Sequence, residues 1–205
     1  DVVGGLMARD FDGVDDTISL PASTAYDFNN NILICAIVKN DALTQSGWIA
    51  SWGSAAGRGY ALYVNATSGV LNFAVFGGTD RTGTSTTALS TRVWFAVMGH
   101  SLTGGDAIFR RLNLETGVMA SQTGSATGAI TAPTNDAGMM GRYQFSVTQF
   151  WDGPIAQVSL YNRAVFSVEE FEFWARGAWS AYVPSLKGSW SLFGTTSPEP
   201  DWSGN

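Results

Sequence analysis

Acidic side chains are grouped at two places in the sequence where a hard cation could bind. Asp12, Asp15 and Asp16 fall within one short segment, and Asp136 lies two residues before Gly138 in another polar segment. Carboxylate oxygens are among the ligands that Ca²⁺ prefers, so these four aspartates are candidate calcium ligands. Their spacing does not match a twelve-residue calcium loop, and aspartates in turns also cap the backbone through their own side chains. The sequence leaves both roles open.

The sequence lacks the patterns expected of a nucleophilic active site or a phosphate-binding loop. The single histidine, His100, has no evident base–orienter partner nearby in sequence. The single cysteine, Cys35, lies in the apolar run Ile32–Val38, which indicates a buried side chain, and a lone cysteine excludes an intrachain disulfide. The glycine pairs at 77–78 and 104–105 lack the lysine and helix of a phosphate-binding loop. We expect no catalytic residues of these kinds.

Short apolar runs, rich in β-branched and aromatic residues and separated by turn formers, predict that β-strands position these side chains. In Val70–Phe76, alternate residues Leu71, Phe73 and Val75 share one face. In Ile155–Tyr161, the alternation puts Gln157 and Ser159 on a polar face. Further strands are predicted at Ile32–Lys39, Trp48–Trp52, Tyr60–Val64, Val93–Gly99 and Ala107–Leu114. Residues 79–91 and 122–134, dominated by Gly, Ser, Thr and Ala, are predicted to be exposed loops or weak edge strands.

One helix is predicted near the end of the strand series. Ser167 and Glu170 have the spacing of a capping box. The apolar residues that follow, Phe171 and Trp174, recur at helical spacing, and Gly177 suits the left-handed position that ends a helix. We expect this helix to pack flat on the sandwich.

The chain is predicted to divide after residue 177. Residues 1–177 are expected to form one domain, because single all-β domains commonly reach ~200–250 residues. Residues 178–205 are too aromatic for a solvated tail, and they are predicted to dock on the sandwich or on a neighbouring subunit, with a strand at 186–193. Their aromatic residues include Trp179, Tyr182, Trp190, Phe193 and Trp202.

Composition narrows the range of partners. The net charge is −6 and the isoelectric point is near 4.6, whereas nucleic-acid-binding proteins normally present a basic face, so nucleic acid is not expected as a partner. No apolar segment approaches the ~18–20 residues of a membrane helix, so membrane insertion is not expected. The chain begins with Asp1, and we expect it to have been processed or cut from a longer polypeptide.

An ordered series of segments resembles the LamG-like jelly rolls of the concanavalin A-like lectin/glucanase superfamily. The most specific is Phe150–Val158 with Leu160–Ala164, which is similar to the closing strand, turn and helix start of these domains. Earlier segments follow the family order, although Ile37 replaces a usual Trp and residues 109–117 replace the usual hairpin sequence. These segments are Phe11–Asp16, Ile34–Lys39, Ile49–Gly53, Arg58–Val64, Gly69–Phe73 and Trp94–Val97. The fold expected is an all-β, two-sheet antiparallel jelly-roll sandwich with one short C-terminal helix and an aromatic extension.

The resemblance also implies where ligands would bind. Related families bind calcium through loop carboxylates, which is why the aspartates above are of interest. They bind glycans through an exposed aromatic ring and hydrogen-bonding groups on rim loops. Trp48, Arg142, Tyr143 and Trp151 flank predicted loops and are the candidate ligand-binding residues. Packing in the core is the alternative role for the aromatic ones.

A glycoside hydrolase of this superfamily would need paired carboxylates on one strand face, ~5–5.5 Å apart in a retaining enzyme. The sequence lacks that pattern, because three of its glutamates lie on the predicted helix. All five are Glu115, Glu169, Glu170, Glu172 and Glu199. We therefore expect a protein that is not an enzyme.

Two hypotheses of function follow. The first is a non-enzymatic attachment or recognition module at a bacteriophage virion surface, as a capsid decoration or tail-associated protein that also binds glycans. Its partners would be virion proteins and cell-surface glycans, and a homo-oligomer is expected. LamG-like sandwiches with a neutral surface, no disulfides and such an extension resemble those of phage structural proteins. The alternative is a free-standing carbohydrate-binding lectin module, extracellular or at the cell surface, and a glycoside hydrolase ranks third.

Overall fold

The computed structural model describes residues 8–42, 46–54, 58–76, 81–103, 105–124, 134, 136–143, 148–177 and 185–192. The strands in chain order are β1 (Arg9–Asp12), β2 (Ile18–Leu20), β3 (Asn31–Lys39), β4 (Gly47–Ser54), β5 (Arg58–Val64), β6 (Val70–Phe76), β7 (Arg81–Ala88), β8 (Trp94–Leu102), β9 (Ala107–Asn113), β10 (Met119–Gly124), β11 (Gly138–Met140), β12 (Asp152–Tyr161) and β13 (Leu186–Ser191). Helix α1 (Val168–Ala175) lies between β12 and β13, and a 3₁₀ turn occurs at Thr24–Tyr26. The described part of the chain has no helix with the length and hydropathy needed to cross a membrane.

The strands form two antiparallel sheets. One has the order β1-β12-β3-β8-β9-β10, with β13 also paired to β12, and the other has the order β2-β11-β4-β5-β6-β7. Many neighbours are distant in sequence, since β12 pairs with β3 and β11 pairs with both β2 and β4. This crossing topology confirms the predicted two-sheet jelly-roll sandwich.

The main hydrophobic core lies between the two sheets. Alternate residues of each strand point into it, including Leu71, Phe73 and Val75 of β6, as the sequence pattern predicted. Large aromatic side chains fill the layer, and Trp52 contacts Trp190 at a ring-centroid distance of 5.9 Å. Because Trp190 belongs to β13, the described part of residues 178–205 contributes to this core.

A second core lies on the outer face of the seven-stranded sheet, beneath α1. Leu33, Cys35 and Ile37 of β3 pack there with Phe171 and Trp174 of the helix. This strand is therefore buried on both faces, which explains its uninterrupted apolar run. The burial also agrees with the expected role of Cys35, whose side chain is fully buried.

The predicted capping box at the start of α1 is confirmed. The Glu170 N–H donates to Ser167 Oγ at 3.1 Å, and the Ser167 N–H donates to Glu170 Oε2 at 2.7 Å. Two backbone donors that the helix cannot satisfy internally thus obtain partners. Arg163 adds an ion pair to Glu170 at 3.1 Å, which ties the preceding loop to the helix.

The polar face predicted on β12 is present, but it lies in the interior of the fold. Gln157 and Ser159 are fully buried, because β13 pairs alongside and supplies polar partners. Gln157 Nε2 donates to Ser189 Oγ at 2.9 Å, and Ser191 Oγ donates to Gln157 Oε1 at 2.6 Å. A bulge near Ala156 also shifts the alternation that the sequence suggested.

The polar segments predicted as loops or weak edge strands are partly regular. Residues 81–88 form β7, an edge strand of the six-stranded sheet. Residues 122–124 belong to β10, the edge strand at one side of the seven-stranded sheet, and residues 125–133 lie outside the described residues. Strand pairing therefore includes segments that have few apolar residues and no clear alternation of apolar and polar residues.

Candidate functional site

Four aromatic side chains form a stacked group that we call the aromatic cluster: Trp48, Tyr63, Phe76 and Tyr143. The Trp48 ring lies 4.2 Å from Tyr63 and 4.1 Å from Tyr143 between centroids, with interplanar angles of 14° and 23°. Phe76 completes the group at 5.5 Å from Tyr143. These separations are at or near the range of favourable ring stacking, so the cluster is a packed unit.

The strand alternation places this cluster on the outer face of the six-stranded sheet. On β5, Tyr60, Leu62 and Val64 point into the core between the sheets, so Tyr63 points outward. Trp48 is the cross-strand partner of Tyr63 and belongs to neither core. Phe76 similarly follows the core residue Val75 on β6.

The cluster is only partly covered. Trp48 retains 6% of its exposure, whereas Tyr63, Phe76 and Tyr143 are half-buried. Burial raises the pKa of Tyr63, and a hydrogen bond with the Thr82 side chain opposes this effect. Tyr63 therefore stays a neutral phenol at neutral pH, and the exposed part of the cluster is uncharged and aromatic.

Arg142 lies beside the cluster, in the segment that carries Tyr143. Its backbone pairs with Phe150 in an isolated bridge, and its guanidinium carbon lies 5.8 Å from the Phe150 ring centroid. Arg142 Nε also donates to the sulfur of Met139 at 3.2 Å. The half-buried side chain thus holds a cationic donor close to the Phe150 ring.

Trp151 does not contribute to this surface, and its assignment as a ligand-binding residue was wrong. Its side chain is fully buried in the core between the sheets, where Gly47 packs against the indole. A Cβ at Gly47 would lie 2.9 Å from Trp151 Cε3, so the fit is tight. Core packing was the alternative role, and it is the one that the structure gives to this residue.

Tyr63 and Phe76 were not predicted as members of the candidate site. Both occupy outward positions in strands that were recognised, out of phase with the core residues Leu62 and Val75. An aromatic residue at an outward strand position was the available signal.

Small and polar side chains surround the cluster on the same outer face. Ala61 and Ala74 are almost fully buried, and Asn72 accepts a hydrogen bond from Thr84 Oγ1 at 2.7 Å. None of the six strands of this sheet contains Asp or Glu. The face can stack and donate hydrogen bonds, but its strands carry no carboxylate for acid–base chemistry.

The first aspartate group is compact. One oxygen from each of Asp12, Asp15 and Asp16 lies within 4.8 Å of the others, a spacing that fits a shared hard cation. Asp12 Oδ1 also accepts the Val14 N–H at 2.8 Å, and Asp16 Oδ2 accepts the Asp12 N–H at 3.0 Å. The N–H groups of Val14 and Asp15, which both donate to Asp12 Oδ1, lower the pKa of Asp12, so its carboxylate is charged. Asp12 and Asp16 therefore cap this turn, and the remaining oxygens of the three carboxylates suit Ca²⁺.

Asp136 is not part of that group. Its Oδ2 accepts the Thr134 N–H at 2.9 Å, which caps a separate turn before β11. Asp152, the cross-strand partner of Asp12, lies closer to the trio. Burial raises the pKa of Asp152, and the nearby Asp41, Asp10 and Asp12 carboxylates add to the effect. Negative charge is therefore concentrated at this end of the seven-stranded sheet.

No family model and no curated protein sequence matches the chain. Solved structures do match it. The LG1–3 region of the laminin α2 chain has a TM-score of 0.60 at 10% identity, over 75% of this chain and 31% of the laminin chain. The CBM40 module of the Ruminococcus gnavus IT-sialidase has a TM-score of 0.59 at 16% identity, over 82% of this chain and 96% of the module.

Full-length tailspike protein 2 of an Escherichia coli bacteriophage also matches, with a TM-score of 0.53 at 13% identity. The match covers 92% of this chain and 32% of the tailspike. This chain thus spans about a third of the laminin and tailspike chains. At such low identity the likeness concerns the fold. The protein has the concanavalin A-like, LamG-like jelly-roll fold that its sequence segments resemble.

Proposed function

We propose that the protein is a non-enzymatic attachment module that binds glycans through the aromatic cluster. The observation that carries the proposal is the stacking of Trp48 with Tyr63 and Tyr143 on the outer face of the six-stranded sheet. Sugar rings present flat C–H faces that pack on aromatic side chains, while their hydroxyls need hydrogen-bonding groups. The half-buried Tyr143 and Arg142 would supply these two kinds of contact.

Trp48 has a supporting role in this proposal. With 6% exposure its indole has little area left for a ligand, but its stacking fixes the orientation of Tyr63 and Tyr143. A rigid platform loses less conformational entropy on binding than a mobile one. We therefore assign direct ligand contact to the tyrosines and positioning to Trp48.

Absence of hydrolytic activity is part of the proposal. A hydrolase needs two carboxylates facing a single glycosidic bond. The strands beneath the proposed glycan surface contain none, and the acidic trio Asp12, Asp15 and Asp16 adjoins β1 of the other sheet. Hydrolysis of the bound glycan is not expected.

Two similar structures favour a glycan-binding and virion-associated role. The Ruminococcus gnavus module has been solved with α2,3-sialyllactose bound, and the tailspike belongs to a bacteriophage. We place the protein at a virion surface, as a homo-oligomer in contact with capsid or tail proteins. A free-standing lectin is the alternative, and the mass in solution separates the two, because a monomer would contradict the assembly.

A glycan array with wild-type protein and Tyr143→Ala tests the binding site. Removal of one stacked ring should cost ~0.5–1.5 kcal/mol, which corresponds to a roughly two- to tenfold loss of affinity. The matched control is Phe173→Ala, which removes an aromatic ring exposed by 57% on α1, away from the cluster. The control should bind like wild type.

Two results would overturn the proposal. One is a wild-type protein that binds no glycan on the array. The other is equal loss of binding in the Tyr143→Ala and Phe173→Ala variants, since that would mean the aromatic cluster is not the contact surface. Circular dichroism of both variants checks that the fold is retained.

A further inference from the structure

A pocket opens at the side of the sandwich where β7 of one sheet faces β9 and β10 of the other. It has a volume of about 250 Å³, slightly below the ~300–1,000 Å³ typical of sites for drug-sized ligands. Gln122 Oε1 accepts the Thr86 N–H at 2.7 Å and so links β10 to β7 near this pocket. The pocket thus lies at a junction between the two sheets, away from the aromatic cluster.

Arg111 is the cationic residue of this pocket, and two contacts hold it in place. Its guanidinium carbon lies 5.8 Å from the ring centroid of Phe95, which also lines the pocket. Its Nη1 donates to the carbonyl of Ala88 on β7. These contacts use one nitrogen and one face of the guanidinium, so further N–H donors stay available.

The charge of Arg111 is not neutralised by a carboxylate within the described part of the chain. Ion pairs form at Lys39–Asp41 and Arg163–Glu170, and neither of them includes Arg111. Burial lowers the pKa of Arg111, and no acidic group opposes it. Burial also lowers the pKa of the neighbouring Arg110, but there the carboxylates of Glu169 and Glu170 oppose the effect. Arg111 is thus a half-buried cation without an acidic partner in a chain of net charge −6.

Other lining groups suit a small polar ligand. Asn113 Oδ1 accepts the N–H groups of Glu115 and Thr116, at 2.9 and 3.0 Å, which orients the amide and leaves its NH₂ group to donate. Ser90 adds an exposed hydroxyl at the rim, and Phe95 adds an apolar wall. The pocket therefore combines one cation, neutral hydrogen-bonding groups and an aromatic ring.

We propose that this pocket binds a carboxylate-bearing ligand of monosaccharide size, with the carboxylate on Arg111. A guanidinium pairs with a carboxylate through two parallel hydrogen bonds, a geometry that a neutral sugar cannot offer. Sugar hydroxyls would meet Asn113 and Ser90. This site is separate from the aromatic cluster and does not depend on the function proposed for it.

Titration of D-glucuronate into ¹⁵N-labelled protein, followed by NMR, tests the site. Glucuronate should shift the amide signals of β9 and the 87–90 segment, and glucose, which lacks the carboxylate, should not. Acetate distinguishes the source of the carboxylate. Shifts with acetate equal to those with glucuronate point to a free small acid, and stronger shifts with glucuronate point to an acidic sugar.

Substitutions locate the binding. Arg111→Gln should weaken glucuronate binding at least tenfold, and Arg111→Lys should weaken it severalfold, because lysine keeps the charge without the paired donors. Arg176→Gln removes the same charge at an exposed position after α1 and should leave binding unchanged. Tyr143→Ala should also leave it unchanged, which separates this site from the aromatic cluster.

The proposal fails if glucose and glucuronate bind equally, or if Arg111→Gln retains wild-type affinity. It also fails if Arg176→Gln loses as much affinity as Arg111→Gln, since net charge would then explain the binding. Should Arg111→Gln not fold, Arg111→Lys decides the matter, and unchanged affinity in that variant contradicts paired recognition by the guanidinium.

Discussion

Replacement of His100 by Phe should remove part of the acid sensitivity of the fold. His100 lies on β8 between its cross-strand partners Leu33 and Ile108, and it is 4% exposed. Neither ring nitrogen has a hydrogen-bond partner in the structure. Burial, with a smaller contribution from the positive charge of Arg110, lowers the pKa of His100 to about 4, from the ordinary value of 6.5.

The sign and size of the effect follow from these two pKa values. Between pH 6.5 and about 4, His100 is mostly protonated in the unfolded chain and mostly neutral in the folded chain. The free energy of unfolding therefore falls as the pH drops below 6.5. At ~1.4 kcal/mol per pKa unit, the full loss is about 3 kcal/mol near pH 4, and it is about 2 kcal/mol at pH 5.

Urea unfolding of wild type and His100→Phe, at about pH 7.5 and about pH 5, measures this contribution. Carboxylates titrate in both proteins, so the difference between the two pH dependences isolates His100. Wild type should lose ~2 kcal/mol more than the variant over this interval. Parallel pH dependences, within ~0.5 kcal/mol, would refute a buried neutral histidine.

Two further results are expected. Ser167→Ala should lower the free energy of unfolding by ~1 kcal/mol in urea titrations, because it removes the capping bond to the Glu170 N–H, and Ser90→Ala, at an exposed position with no capping role, should be near neutral. Millimolar Ca²⁺ should raise the Tm above its value in EDTA, because an ion held by Asp12, Asp15 and Asp16 would stabilise the native state, and Asp16→Asn should remove the shift while Asp136→Asn keeps it. Equal Tm values with Ca²⁺ and EDTA would leave these aspartates with turn capping alone.

The elements that the sequence predicted well are those with strong local signals. The helix could be predicted because Ser167, Glu170 and the apolar spacing after them act within one short segment. The strand at Val70–Phe76 alternates cleanly, and its observed bounds equal the predicted ones. The short β2 and β11 have only three residues each, and they become strands through pairing with each other and with β4. Such partners are distant in sequence, so local patterns could not reveal them.

The candidate site could be predicted only in part from the sequence, because the exposure of a side chain depends on the tertiary structure. Trp48 and Trp151 both adjoin turns, yet one stacks on an outer sheet face and the other fills the core. Alternation predicted a polar face that includes Gln157, but it could not predict the burial of that face beside β13, which comes from another part of the chain. Arg111 was not predicted as a binding residue, because its pocket depends on Phe95 and Ala88, which only the fold brings together.

The first and last described strands, β1 and β13, pair with the same side of β12. Arg9 of β1 lies opposite Ile155, and Ser191 of β13 lies opposite Gln157. Both strands run antiparallel to β12, so the last residue of β13 and the first residue of β1 adjoin, head to tail, along the same border of the sheet. The first and last described strands thus act together as one interrupted strand. The end of β13 and the start of β1 are far apart in sequence but adjoin along β12. Strand pairing in this sheet would accordingly survive a circular permutation that joins the two.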